Sequence, residues 1–408
     1  MKKLLFAMVI LTMVVSLAAC GGPTPVPTAV PPTAVPPTPA PKPVALKLWH
    51  GWTDANELAL LNGAVDAFKK ANAGSTVDLL AVPFDQLQNK YTTEASTGGG
   101  PDLLIGPKDW IGALTNAKLI APLDDVAKDV LADLTPSAVE ANKYAGKVMA
   151  LPESVEAVVL WYNKDLVKIP PANTEELLTM AATSGLALNT GFYHATGLLF
   201  GFGGQLFDAS QKCVLDQGTG TADFLTFMAS AKNTKNVVAD GDGGKLDAAF
   251  KDKKVGMIFN GPWATGDYSK ALGADKLGIA APIKITKSGK TFAPFLGTKN
   301  VFLSANSKGD NVKAAVAFMK TIVSVDIQSN LAIKAGHIPS NKNVKPTDPF
   351  VAGVMAQTLS ASYFPNEPEM GAVWTPAGDM ITKVIEGKSQ PAAAAKEAAD
   401  LINKANKK

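Results

Sequence analysis

The chain has 408 residues, carries 39 lysines against 36 aspartates and glutamates, and contains no arginine. A formal charge of +3 gives no basic field for nucleic acid, and without a guanidinium no side chain can grip a carboxylate or phosphate bidentately. Two cysteines and three scattered histidines exclude a disulfide framework and argue against a zinc site, while 47% hydrophobic and 18% charged residues describe a globular bulk.

The first segment reads as an address. Lys2 and Lys3 precede an apolar run, Leu4 to Val15, that is shorter than the ~20 residues a bilayer crossing needs. Leu17-Ala18-Ala19-Cys20 resembles a bacterial lipobox, which predicts a signal peptide over 1–19 and a lipid on Cys20. Residues 23–43 hold ten of the 28 prolines. Such a stretch cannot bury a core and favours extended polyproline structure, so 20–43 is expected to be a lipid-anchored stalk at the membrane.

From residue 44 onward, strand and helix signals alternate. Ala45 to Trp49 alternates apolar and polar residues and predicts a strand. Asp54-Ala55-Asn56-Glu57 is a capping pattern, and Leu58, Leu61, Val65 and Phe68 follow at helical spacing, with Gly74 as a stop. Val77–Val82 and Asp102–Ile105 predict strands; Gln86–Ser96 predicts a helix broken by Gly98-Gly99-Gly100-Pro101. Val155 to Tyr162 is a further β-rich run. Val312, Val316, Met319 and Ile322 mark a helix, and Pro391 opens a last, alanine-rich one. This alternation predicts α/β units with a mostly parallel sheet.

No catalytic constellation emerges. Glu153 and Glu156 are the nearest thing to a carboxylate pair, but three apart on a strand they face opposite ways. Cys213 reads as buried and inert. Gly201-Phe202-Gly203-Gly204 lacks phosphate-loop spacing, and Asp240-Gly241-Asp242-Gly243-Gly244 lacks the later glutamate of a calcium loop, so both are expected to be turns.

The six tryptophans carry more information. Trp52, Trp263 and Trp374 sit beside turn formers, in His50-Gly51-Trp52, Gly261-Pro262-Trp263 and Trp374-Thr375-Pro376. Turns at strand ends are where clefts of open α/β sheets lie. Neutral sugars suit such rings, because their C–H faces stack on aromatics while their hydroxyls need polar partners. Trp263 and Trp374 read as binding residues, Trp161 as core, and Trp49 is open between the two.

Several fragments then resemble one family: the family-1 extracellular solute-binding proteins of bacterial ABC importers, in their maltose/maltodextrin-binding branch. The resemblance rests on Gly100-Pro101-Asp102, Val155-Glu156-Ala157 with Tyr162-Asn163-Lys164-Asp165-Leu166, Asn260-Gly261-Pro262-Trp263, and Pro365-Asn366, Pro368, Met370 and Trp374 in order. It implies a two-lobed Venus-flytrap α/β fold. The N-lobe would be 44–152 plus 300–346 and the C-lobe 157–295 plus 352–408, with hinges near 153–156, 295–300 and 346–352.

It also implies that Trp263, Trp374 and Tyr193 stack on sugar rings and that Glu156 and Asp109 bind hydroxyls. Trp110 stands where the family has an arginine, Gly106 where it has a tryptophan, and Gly191 where it has a glutamate. Trp52, with Thr53 and Asp54, occupies the first ligand loop. The implied protein is a lipid-anchored monomer on the outer face of the cytoplasmic membrane. It captures maltose or maltodextrin-type oligosaccharides for an ABC permease, with no catalysis, metal or cofactor. The rival readings are a same-fold protein for another disaccharide, a glycerol phosphate or a peptide, and a secreted glycoside hydrolase.

Overall fold

Thirteen strands and the helices between them make up the described part of the computed structural model, residues 42–345 and 347–408. The signal 1–19, Cys20 and the stalk as far as residue 41 lie outside the described residues. In chain order the strands are β1 (Ala45–His50), β2 (Thr76–Ala81), β3 (Leu103–Pro107), β4 (Lys143–Tyr144), β5 (Lys147–Val148), β6 (Leu151–Glu156), β7 (Val159–Asn163), β8 (Leu186–Asn189), β9 (Val237–Asp240), β10 (Met257–Asn260), β11 (Leu277–Ile279), β12 (Gly297–Leu303) and β13 (Ile338–Pro339).

Two sheets organise them. The first has the order β13-β6-β12-β3-β1-β2 and the second β11-β7-β10-β8-β9, while β4 and β5 form a separate hairpin. The expected mostly parallel sheet is corrected here. Pairs β1–β2, β1–β3, β8–β9 and β8–β10 are parallel, but β12 runs antiparallel to both β3 and β6, β13 antiparallel to β6, and β7 antiparallel to β10 and β11. Local strand–helix–strand units do give parallel neighbours. Strand β12 enters the first sheet only after the chain has built the second, so no local crossover sets its direction.

Local chemistry explains the elements that position the site. Asp54 caps the helix Ala55–Ala71, its Oδ1 accepting the N–H of Asn56 at 2.8 Å and of Glu57 at 3.1 Å. That helix buries Leu61, Val65 and Phe68, and Phe68 meets Phe318 edge to face at 5.5 Å, locking it to the helix Asp310–Ile322. Burying one such ring contributes about 2 kcal/mol. The run Val155–Tyr162 is two strands, not one: β6 belongs to the first sheet and β7 to the second, with the change at Ala157 and Val158. Trp161, on β7, is fully buried against Tyr268 and Phe350.

Phe202 and Gly203 form the expected turn, but in Asp240–Gly244 the turn is confined to Gly241 and Asp242, since Asp240 ends β9 and Gly243 and Gly244 open a helix. Asp242 caps the helix Gly243–Lys251 through Gly244 and Lys245, and Gly201 closes the helix Phe192–Gly201. Cys213 is buried, and burial pushes its thiol up to about 11, which keeps it protonated and unreactive. No metal-binding cluster occurs among the described residues.

Candidate ligand-binding site

A row of aromatic rings crosses the end of the second sheet. Strand β10 ends at Asn260, and the turn Pro262–Ala264 follows. The Trp263 indole folds back over Gly261, where a Cβ would sit 2.1 Å from the ring, so only glycine fits there. Tyr193, in the first turn of the helix after β8, lies 6.2 Å from Trp263 and 5.9 Å from Phe364. Phe364 lies 6.1 Å from Trp374 and stacks on Phe295 at 4.3 Å. Trp263 is 38% exposed, whereas Trp374 is half-buried against Phe192.

Two carboxyl groups flank this row. A Cβ at Gly297 would lie 3.1 Å from the Tyr193 hydroxyl and 3.6 Å from Cβ of Glu156, so the phenol and the carboxylate share one small space. Burial raises the Glu156 carboxyl above its ordinary range, opposed by Lys299. Asp109 follows β3 in the turn Lys108–Trp110; burial pushes it up to about 6, with Lys108 opposing and Glu156 adding to the rise. Burial, then Glu156 and Asp109, hold the Tyr193 phenol protonated.

Lys108 itself is fully buried. Its Nζ donates to the Phe364 carbonyl and sits 5.0 Å from the Tyr363 ring and 5.1 Å from the Phe364 ring. Burial pushes it down to about 7, against Asp109 and Glu367.

The first sheet supplies an ionic cluster. Lys299, on β12, lies 2.8 Å from Glu57 and 3.8 Å from Glu156, and its Nζ is 5.2 Å above the Trp52 ring. His337 stands edge-on to Trp52 at 5.6 Å. Trp52 is therefore only 6% exposed, and its Nε1 is a buried donor with no partner among the described residues. Trp110 is 5% exposed beneath Phe84, which stacks on it at 5.8 Å and is itself 59% exposed. Trp49 is buried in the core, with Lys90 at 4.6 Å from its ring.

Tyr193, Trp263, Trp374, Glu156 and Asp109 are thus neighbours. Trp52 joins them through Lys299, whereas the Trp110 ring packs beneath Phe84 in the core and does not reach the aromatic row. The arrangement offers flat apolar faces beside ionisable acceptors. Residues 63–358 match the family described as bacterial extracellular solute-binding protein. The chain belongs to that family. It is similar to the maltotriose-binding protein of Pyrococcus abyssi, 28% identical over 358 residues that cover 83% of this chain and 77% of the relative. It is also similar to a maltooligosaccharide ABC transporter solute-binding lipoprotein of Streptococcus pneumoniae, 29% identical over 340 residues, 77% of this chain and 78% of the relative. The solved structure of a Thermus thermophilus maltotriose binding protein bound with maltotriose superposes with a TM-score of 0.80 at 32% identity, covering 88% of this chain and 100% of that one. The two-lobed α/β fold expected from the resemblance holds for this solute-binding protein, whose family and relatives are binding proteins.

Several residues of the candidate site carried no sequence signal of their own. Phe364 is the link between Tyr193 and Trp374, and Phe84 presents the open ring where Trp110 does not. Lys299, Glu57 and His337 form the charged wall. The Tyr363-Phe364 pair directly before the Pro365-Asn366 motif was the one local signal for the first of these.

Proposed function

We propose that this solute-binding protein captures neutral maltose- or maltodextrin-type oligosaccharides between its lobes and delivers them to an ABC permease. The row Trp263–Tyr193–Phe364–Trp374, flanked by Glu156 and Asp109, carries this reading. Stacked rings suit the C–H faces of sugars, and buried carboxylates suit their hydroxyls. Covering half a large ring contributes about 2 kcal/mol, so three such contacts with hydrogen bonds support micromolar binding, about −8 kcal/mol after association costs. The names of the two relatives and of the maltotriose complex support the same ligand class.

The lobes in this reading are 44–152 plus 300–346 and 157–295 plus 352–408, and ligand closes them only by binding the closed form more tightly. Cys20 carries the lipid that holds the monomer at the outer face of the cytoplasmic membrane, and residues 20–43 form its stalk. No metal, cofactor or catalytic step is part of the proposal.

A melting-temperature panel from maltose to maltohexaose, with trehalose and sucrose, tests it. A rise with the maltodextrins alone is the expected result. A rise with trehalose or sucrose only would replace the ligand class. Turnover of maltotriose would make the protein a hydrolase and end the binding-only reading.

A further inference from the structure

Strand β10 ends on Asn260, a buried amide with a partner for each of its polar atoms. Its Nδ2 donates to Asp247 Oδ1 at 2.9 Å and to the Tyr268 hydroxyl at 2.9 Å. Its Oδ1 accepts the N–H of Gly261 at 2.8 Å, and its main-chain carbonyl accepts Trp161 Nε1–H at 3.1 Å. An amide engaged at both ends cannot rotate without leaving a buried group unpaired.

Tyr268 closes this arrangement. It sits on the helix Thr265–Leu272, and Asp247 sits on the helix Gly243–Lys251. The Tyr268 hydroxyl donates to Asp247 Oδ1 while accepting from Asn260, so two helices and a strand end meet at three polar atoms. Burial, then the Asp247 carboxylate, raises the phenol, which keeps the hydroxyl protonated and able to donate. The ring is fully buried, edge to face with Trp161 at 5.9 Å and with Phe250 at 4.8 Å. A side chain with no exposed surface touches no ligand, so anything it adds to binding passes through its neighbours.

The turn after Asn260 is where that influence leads. The Trp263 indole lies over Gly261, where a Cβ would come within 2.1 Å of the ring, and Thr265 Oγ1 pins the far side of the turn by donating to the Pro262 carbonyl at 2.6 Å. Glycine has no side chain to restrict its φ and ψ, so the bond from its N–H to Asn260 does that work. Gly261 is thus both the bed of the indole and the residue that the Asn260 amide holds. We propose that Tyr268 is a positioning residue of the ligand site, its hydroxyl fixing the angle of Trp263 through Asn260 and Gly261. The inference rests on the reading of Trp263 as the exposed stacking ring and adds the residues that aim it.

Maltotriose calorimetry and near-ultraviolet circular dichroism on the intact protein, Tyr268→Phe, Trp263→Ala and the double variant test this. Tyr268→Phe keeps the packed ring and removes one oxygen. It should lower affinity about tenfold in the intact protein but less than about twofold in the Trp263→Ala background, because a residue acting through Trp263 has nothing left there to act on. In the ligand-free protein, the tryptophan bands that Trp263→Ala removes should weaken in Tyr268→Phe. Asp247→Leu, which deprives Tyr268 and Asn260 of their shared acceptor, gives a second route should Tyr268→Phe misfold. It should lose affinity in the same background-dependent way, and Asp247→Asn, which keeps an acceptor oxygen, should recover most of that loss. Equal loss in both backgrounds, or no loss in either, overturns the positioning role and leaves the stacking role of Trp263 standing. If the unaltered protein binds no maltotriose, the oligosaccharide reading falls and the bands of the free protein decide the positioning role, unchanged bands in Tyr268→Phe overturning it.

Discussion

His337 Nδ1 lies 2.8 Å from a carboxylate oxygen of Glu153, deep in the first sheet. Its Nε2 lies 2.7 Å from Glu57, so one imidazole bridges β6 to the helix Ala55–Ala71, and Lys299 adds β12 to the same cluster. Burial alone would lower the imidazole, but the carboxylates win and hold it up at about 9. Burial likewise would raise Glu57, yet Lys299 and His337 bring it down to about 2. Replacing His337 by alanine leaves two buried carboxylates facing each other, and breaking a buried pair costs about 3 kcal/mol. Urea unfolding at neutral pH should show a loss of that size. A change within experimental error would mean that water or Lys299 takes over the role.

His337 and Lys108 should give the protein opposing pH profiles. A raised histidine stabilises fully below its unfolded value, near 6.5, and that contribution is lost as pH rises through about 9. Lys108 is lowered to about 7 from 10.5, so the unfolded chain binds a proton that the folded one resists. Its penalty is full below about 7 and is relieved as pH climbs toward 10.5. The two effects offset each other between about 7 and 9. Unfolding midpoints across this window should therefore rise with pH in His337→Gln and fall in Lys108→Met. Parallel profiles in the two variants would refute the assignment.

Asp109 should make ligand affinity depend on pH. Its carboxyl retains a proton up to about 6, and burial is the chief cause. A sugar hydroxyl donates to the ionised form, so binding releases a proton when pH is below that value. Affinity should rise as pH climbs through about 6 and level off above it. Calorimetry near pH 5 in two buffers of different ionisation heat reads the proton directly. Asp109→Asn should show a smaller buffer dependence in this range, with the remainder coming from Glu156, whose carboxyl burial also raises. A flat profile in the unaltered protein would sink the idea.

The sequence was informative where structure is local. Asp54 announced its cap, and Leu61, Val65 and Phe68 their face, because three- and four-residue spacing sets which side chains meet along a helix. Trp263 was legible because glycine and proline mark a turn at the end of a strand. Partners brought together by the tertiary fold were not. Glu57 is 242 residues from Lys299 and 280 from His337, and no periodicity links such positions. The direction of β12 was hidden for the same reason. Lys108 gave no signal in the sequence, since nothing local shows Tyr363 and Phe364 closing over it. Phe84 sits three residues past the end of β2, where an exposed ring has no pattern to betray it.

The two tryptophans of the aromatic row should respond differently to truncation, because one is exposed and the other supports the core. Trp263 is held mainly by Tyr193, His194 and the backbone of Gly261, and 38% of it faces solvent. Removing it forfeits about 2 kcal/mol of sugar contact, roughly thirtyfold in Kd, with little change in the melting temperature of the free protein. Trp374 packs on Phe192 and Phe364 at 6.3 and 6.1 Å, against the core of the second sheet. Truncating it opens a cavity as well as a binding surface, and truncation of a buried aromatic costs about 3 kcal/mol. Trp374→Ala should thus lose both affinity and thermal stability, while Trp263→Ala loses affinity alone. Maltotriose titrations and melting curves on both variants separate the two effects. Full affinity in Trp263→Ala would remove the exposed ring from the site, because its solvent-facing side has no other packing role among the described residues.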